Sequence, residues 1–213
     1  IAILFCSYLT KAQNFEKDIK SIKLNNAIDI LAFDYSSKMY FVNDSTYTMV
    51  LKSVRIHEKY YAGNDELQVI ANDSIMIQVD HLGKGITLYK NFLVDEVKDN
   101  YFVLIDQLLS QSDSVVYKGI ENGVKTYHVF SFEGEVDNWL ISINNDGYIL
   151  DVVMNFSMNV NGVNKIELAF RNYQTNPDLI SFTWSVNEYI QKTKKGFSPT
   201  KKYSNYQILN YYN

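Results

Sequence analysis

The 213-residue chain is poor in four residue types: one cysteine, two prolines, nine glycines and two arginines. A single cysteine excludes an internal disulfide framework and a cysteine-rich zinc module. So few Pro and Gly exclude collagen-like and low-complexity character. No apolar run reaches the roughly 18 residues that a membrane-spanning helix needs. Positive charge is scarce too. Twenty Lys and Arg face 24 Asp and Glu, a formal net charge of -4, so the basic excess of a nucleic-acid binder is missing. What the chain does have is apolar surface: 46% hydrophobic residues, 15% aromatic, 17 of them Tyr. That is too apolar and too weakly charged for disorder. No linker or charge block interrupts it, which points to one domain.

The first residues suggest export. Ile1 to Leu9 is a short apolar run, the size of a signal-peptide core, and Thr10-Lys11-Ala12 then sets small residues three apart, the spacing of a signal-peptidase site. The expectation is that residues 1–12 are the remnant of a signal peptide and that 13–213 form a single β-domain. Gln13 is then the mature N-terminus, and Cys6 leaves with the signal. The competing reading is a buried N-terminal strand. Phe5 before Cys6 fits a lipoprotein cleavage site poorly. Abundant Asn, Ile, Lys and Tyr resemble proteins of AT-rich bacterial genomes. Together these features predict the periplasm or outer-membrane periphery of a Gram-negative bacterium.

Hydrophobic periodicity gives the architecture. Phe15, Ile19, Ile22, Ala27, Ile30 and Leu31 recur at roughly helical spacing and predict an amphipathic N-terminal helix. From Lys38 the period changes to two. Strands are predicted over Met39–Val42, Thr46–Ile56, Lys59–Ala62, Leu67–Ala71, Ile75–Val79 and Gly85–Lys90. Tyr101, Leu104, Ile105, Leu108 and Leu109 predict a second helix over 99–110. Strands resume at Val115, with hairpins at Asn122-Gly123, Asp146-Gly147 and Asn161-Gly162, where both turn residues tolerate positive φ. Ile180, Phe182, Trp184 and Val186 alternate like a further strand, and Tyr203–Tyr211 is the last. The fold class expected is α+β and mainly β. A single antiparallel meander curls into an incomplete barrel and covers its apolar face with two or so helices.

Three segments carry a family resemblance: Asn72-Asp-Ser-Ile-Met-Ile-Gln-Val-Asp80, Asp146-Gly-Tyr-Ile-Leu-Asp151 and Lys165-Ile-Glu-Leu-Ala-Phe-Arg-Asn-Tyr173. In these phrases and in the order of its elements, the chain resembles the LolA/LolB-like periplasmic lipoprotein-carrier superfamily, in its Bacteroidetes-type branch. The resemblance implies an incomplete barrel around helices, an apolar cavity for acyl chains, and a buried arginine that holds the lid closed. Arg55 and Arg171 are the two arginines available for that role, and Arg171 falls on a polar strand face.

Catalytic signatures are absent from the sequence. It has no G-x-S-x-G, H-E-x-x-H, phosphate-binding loop or G-x-G-x-x-G. His57, His81 and His128 lie far apart, so a His-based metal or catalytic site requires convergence in space. The expectation is a protein that is not an enzyme, with no catalytic residue, metal or cofactor. Glu133-Gly-Glu-Val-Asp137 lacks calcium-loop spacing and reads as a solvated loop. Asp44-Ser45-Thr46, Asp73-Ser74-Ile75 and Asp113-Ser114-Val115 resemble short O-glycosylation sites. Lys192, Lys194, Lys195, Lys201 and Lys202 form a basic patch, read either as a solvated edge guard or as a contact for lipid headgroups or an acidic partner.

The best ligand candidate is an apolar stripe on the strands of the second half, which starts at Leu150 and Val152 and continues through Met154, Phe156, Met158, Ile166, Leu168, Phe170, Phe182 and Trp184. Met154, Phe156, Met158, Leu168, Phe170, Phe182 and Trp184 are its proposed lining, and a packed core is the competing reading. The function expected is an envelope protein, monomeric, that binds a lipid, an acyl chain or a lipoprotein. The alternative is a structural or interaction module that binds another envelope protein through its outer face or a sheet edge.

Overall fold

The computed structural model describes residues 15–22, 24–25, 28–57, 59–72, 75–90, 112–131, 135–178, 182, 185–194 and 196–211, with the side chains of 158–160 outside the description. The second predicted helix, over 99–110, lies outside the described residues, as do the signal-peptide residues 1–12 and Trp184.

Twelve strands hydrogen-bond in the order β14-β6-β5-β4-β3-β2-β1-β11-β10-β9-β8-β7, with different strands at the two ends, so the sheet is not closed. In chain order they are β1 (Ile30–Phe41), β2 (Thr46–Ile56), β3 (Lys59–Gly63), β4 (Leu67–Ala71), β5 (Ile75–Asp80), β6 (Gly85–Lys90), β7 (Ser114–Glu121), β8 (Val124–Phe130), β9 (Val136–Ile143), β10 (Ile149–Val160), β11 (Val163–Gln174) and β14 (Gln207–Tyr211). β12 (Ile190–Thr193) and β13 (Gly196–Pro199) make a separate two-stranded sheet. The mainly β, open, meandering architecture expected from the sequence is met. One pairing departs from the antiparallel rule: β14 runs parallel to β6, with Gln207 beside Gly85 and Tyr211 beside Tyr89.

The turns are placed where the sequence put them, for a conformational reason. Asn122 and Gly123 have φ of 50° and 79°, and Asn161 and Gly162 have 53° and 80°. Two successive positive-φ residues match the right-handed twist of a two-residue hairpin, and Asn-Gly supplies them at least cost.

The chain divides into two compact units. Unit 1 draws on 1–28, 35–50 and 104–171, and unit 2 on 29–34, 51–103 and 172–213. Unit 1 contains helix α1 (residues 15–22), β7 to β10 and most of β11. Phe15, Ile19 and Ile22, at i, i+4 and i+7, are 3%, 2% and 0% exposed, as an amphipathic helix requires. The helix ends sooner than its apolar spacing suggested. Ile30 and Leu31 belong to β1, whose residues are nearly all buried or half-buried on both faces, so alternation is not visible there.

Unit 2 has its own core. Ile70, Ile77, Val79, Ile86 and Leu88 from β4 to β6 pack with Val186, Tyr189, Ile190 and Tyr203. The strand expected over 180–186 does not reach Val186. Instead Val186–Glu188 is a 3-10 turn closed by Tyr189 N–H donating to the Val186 carbonyl at 3.0 Å. Val186 and Tyr189 are both buried in this core, and the tight turn is what places residues three apart on one side. Period-two alternation cannot show that.

Candidate functional site

The apolar face of unit 1 is built by register. Across β8, β9, β10 and β11, residues in register stand directly opposite one another and share a face. Tyr127 faces Ile141, Ile141 faces Val152, and Val152 faces Leu168. In the next row Val129 faces Trp139, Trp139 faces Met154, and Met154 faces Ile166. β7 extends the rows with Tyr117 and Val115. All of these from β8 to β11 are buried except the half-buried Ile166. Each fully buried Val, Leu, Ile or Phe contributes about 1.5–3 kcal/mol, so the two rows account for much of this unit's cohesion.

A β-bulge corrects the start of the stripe. Ile149 pairs with Ile143 and Asp151 with Ser142, leaving Leu150 as the extra residue. Ile149 takes the buried position at 1% exposure, and Leu150 is half-buried. Beyond it the expected alternation holds for Val152 and Met154, and Phe156 is half-buried opposite Val136.

Of the seven proposed lining residues, Met154, Phe156, Leu168 and Phe170 are described in unit 1 and Phe182 in unit 2. Met154, Leu168 and Phe170 are 8%, 9% and 1% exposed in unit 1, and Phe170 packs on the Tyr35 ring at 5.4 Å. Phe156 is in the same unit. The side chain of Met158 and all of Trp184 lie outside the described residues. Phe182 belongs to unit 2, where its ring meets Tyr61 edge-on at 5.4 Å and the Lys52 ammonium lies 5.5 Å from its centroid. Clefts of about 330 and 430 Å³ are present elsewhere, lined chiefly by polar and aromatic residues such as Asp34, Asn172 and Tyr173, and Tyr40, Asn155 and Lys165. Neither cleft includes any of the seven residues.

A polar clamp holds α1 to β8. Lys125 Nζ donates to both Asp18 oxygens, at 2.7 and 2.9 Å, and Tyr127 Oη–H donates to Oδ2 at 2.5 Å. The Phe15 ring lies 5.0 Å from Tyr127. At the far end of the helix, the Asn25 amide donates to the Asp146 carbonyl. Burial, reinforced by the hydrogen bond to Asp18, pushes the Tyr127 hydroxyl well above the usual tyrosine range. The trio leaves one trace in the sequence. Asp18 sits three residues from Phe15 and four from Ile22, inside the apolar stripe of α1, and a charged residue at such a position calls for a partner.

Neither arginine is fully buried. Arg171 is exposed and binds Asp151 Oδ1 and the Leu150 carbonyl on the neighbouring strand, each at 2.5 Å. Arg55 is half-buried on β2 opposite Tyr60. In unit 1 the charged contact between helix and sheet is made by Asp18 and Lys125.

The histidines stand in separate surroundings. His57, at φ 49°, is exposed 3.8 Å from Asp29, His81 Nδ1 meets Tyr206 Oη at 2.8 Å, and His128 Nε2 meets Asn138 Oδ1 at 3.2 Å. Among the described residues no group of three or more His, Cys, Asp or Glu is arranged to hold a metal ion. Likewise, no described helix is long and apolar enough to cross a membrane. Of the Glu133–Asp137 segment, Val136 and Asp137 start β9.

No family model matches the sequence, and no curated protein matches it. Solved structures do. An uncharacterised conserved protein from Thermus thermophilus aligns at a TM-score of 0.52 and 7% identity, over 92% of this chain and 99% of its own. That likeness is one of fold. A LolA superfamily protein from Nitrosomonas europaea aligns at 0.33 and 4% identity, over 76% of this chain and 93% of its own. LprF from Mycobacterium bovis aligns at 0.39 and 9%, over 78% and 95%. LolA superfamily structures are thus among the chain's structural neighbours.

Proposed function

We propose that the chain is a non-enzymatic cell-envelope protein that takes a hydrophobic ligand (a lipid, an acyl chain or the lipid of a lipoprotein) on the apolar face of unit 1. The carrying observation is that face itself: two register-matched apolar rows across β8 to β11, with an amphipathic helix over them at Tyr127. The resemblance of three short segments and of the element order to lipoprotein carriers supports the same reading. Met154, Phe156, Leu168 and Phe170 are the lining in this unit, and Met158, Phe182 and Trp184 are further candidates. The ligand enters where Phe156 and Ile166 stay half-buried, away from the end that α1 covers. Residues 1–12 act as the export signal, and the mature protein works as a monomer in the envelope of a Gram-negative bacterium.

Titration with a fluorescent fatty-acid probe tests this. Saturable binding by the wild type, weakened at least tenfold by Phe156→Arg, is the expected result. Phe156 is suited to the substitution because half-burial lets an arginine keep its charge in water. A wild type that binds no probe argues against the proposal.

One observation favours the alternative, a module that binds another envelope protein. β7 ends the sheet, and its Val116 and Ile120 are 40% and 57% exposed. Among the described residues this edge is unpaired and can accept a strand, although exposed Lys118, the extra residue of a bulge before Gly119, acts against indiscriminate pairing. Crosslinking from a photoreactive residue at 116 in whole envelopes decides it: one defined partner supports the module, and no product argues against it.

A further inference from the structure

We propose that residues 186–206 of unit 2 form a docking surface for an anionic lipid bilayer. The inference goes beyond the acyl-ligand reading and does not depend on it.

Charge is strongly segregated in this chain. Residues 186–206 hold five lysines and one acid, Glu188, while the rest of the chain holds 15 basic and 23 acidic residues. A strongly basic stretch therefore sits on an otherwise acidic protein. Four of them face water: Lys192, Lys194, Lys201 and Lys202 are all exposed. Lys202 is neutralised by Glu188 at 2.8 Å. Lys192, Lys194 and Lys201 have no carboxylate partner among the described residues.

These four lysines are carried on an anchored segment. Lys192 is on β12, paired with Phe197 of β13, and Lys194 is in the turn between these strands. Lys201 and Lys202 begin the 3-10 turn Lys201–Tyr203. Thr200 joins the two segments: its N–H donates to the Tyr189 carbonyl at 2.9 Å and its hydroxyl to the Glu188 carbonyl at 2.7 Å. Tyr189 and Tyr203, both buried, stack beneath at 4.7 Å. A solvated loop that only guards an edge has no need of this anchoring.

All five basic residues are lysines, as are nearly all the basic residues of the chain. Arginine forks suit defined carboxylate or phosphate pairs on a protein, whereas lysine is a compact, mobile point charge. A diffuse field of anionic headgroups fits exposed lysines carried close together along one short anchored segment.

The test is flotation of the purified protein with vesicles of phosphatidylglycerol and phosphatidylethanolamine, against vesicles of phosphatidylcholine alone, at low and high salt. The wild type is expected to float with the anionic vesicles at low salt only. The triple variant Lys192→Gln, Lys194→Gln, Lys201→Gln, with an unchanged melting curve, should lose affinity on the order of a hundredfold. Fatty-acid probe binding in the same samples should be unaffected, which separates failure here from failure of the ligand reading. Wild type that ignores anionic vesicles, floats equally with neutral ones, or binds polyglutamate in preference to lipid overturns the proposal, the last in favour of an acidic protein. Equal flotation of the triple variant and wild type overturns it as well.

Discussion

Unit 1 and unit 2 each bury one face of a β-sheet, but they close it with different chemistry. Unit 1 brings down a helix and fixes it with charge: Asp18 accepts from Lys125 and Tyr127 at 2.5–2.9 Å. Unit 2 uses neutral aromatic residues. Tyr189 and Tyr203 stack over Ile70, Ile77 and Leu88, and the Tyr189 hydroxyl donates to Gln68 Oε1 at 2.6 Å. A neutral seal needs only packing and one hydrogen bond. A charged clamp adds a different vulnerability, because removing one partner strands the charge of the other. Unit 1 thus adds a charged contact to the packing of its helix, whereas unit 2 joins packing to a neutral hydrogen bond.

The comparison can be broken at several points. The largest effect is expected from Tyr189→Ala, which empties a site only 2% exposed and should cost about 3–5 kcal/mol in denaturant unfolding. A loss below about 1 kcal/mol would show that unit 2 does not depend on its aromatic seal. Asp18→Ala comes next. It leaves the Tyr127 hydroxyl buried without its acceptor and the two-thirds-buried Lys125 without a counter-charge, costing about 2–3 kcal/mol. Amide hydrogen exchange over residues 15–22 should quicken in that variant, and unchanged exchange would mean that the clamp does not hold the helix.

Alkaline pH sharpens the comparison further. Tyr127 and Tyr189 both titrate above the ordinary tyrosine value, chiefly because they are buried. The folded state thus keeps these protons where the unfolded chain gives them up. Stability from both tyrosines is complete below about pH 10 and falls as pH rises beyond it. Tyr127→Phe should flatten part of that fall at some cost near neutrality, and denaturant midpoints measured from pH 8 to 11 check it (a scan on the order of the tyrosine range). The smallest effect belongs to Lys202→Ala. Its pair with Glu188 is largely solvated, so a change under about 0.5 kcal/mol is expected.

Much of this fold can be read from the sequence because the strands are one-sided. Thr46–Ile56, Leu67–Ala71 and Gly85–Lys90 match their predicted bounds residue for residue, and the Asn-Gly hairpins follow from the conformational freedom of the turn pair. Where burial falls on both faces, as in β1, or where a 3-10 turn sets the spacing, as at Val186, period-two alternation misleads. The apolar rows are half legible. The pattern identifies Val152, Met154 and Leu168, but register, which brings Tyr127, Trp139 and Ile141 beside them, is a property of pairing between distant segments. The bulge at Leu150 is hidden for the same reason. Phe182 shares the alternation of the stripe and yet packs in unit 2 against Tyr61. The Asp18–Lys125–Tyr127 clamp joins segments more than 100 residues apart, and only its helical half leaves a trace, as one acid within an apolar stripe.

The central claim is that the apolar face of unit 1 receives a hydrophobic ligand. Native mass spectrometry of the protein, extracted gently from its own envelope, tests it most directly. The account predicts a bound species with the mass of a lipid or acylated molecule, present in the wild type and lost from Phe156→Arg. A wild type that is always ligand-free, or a lipid adduct retained in full by Phe156→Arg, would contradict it.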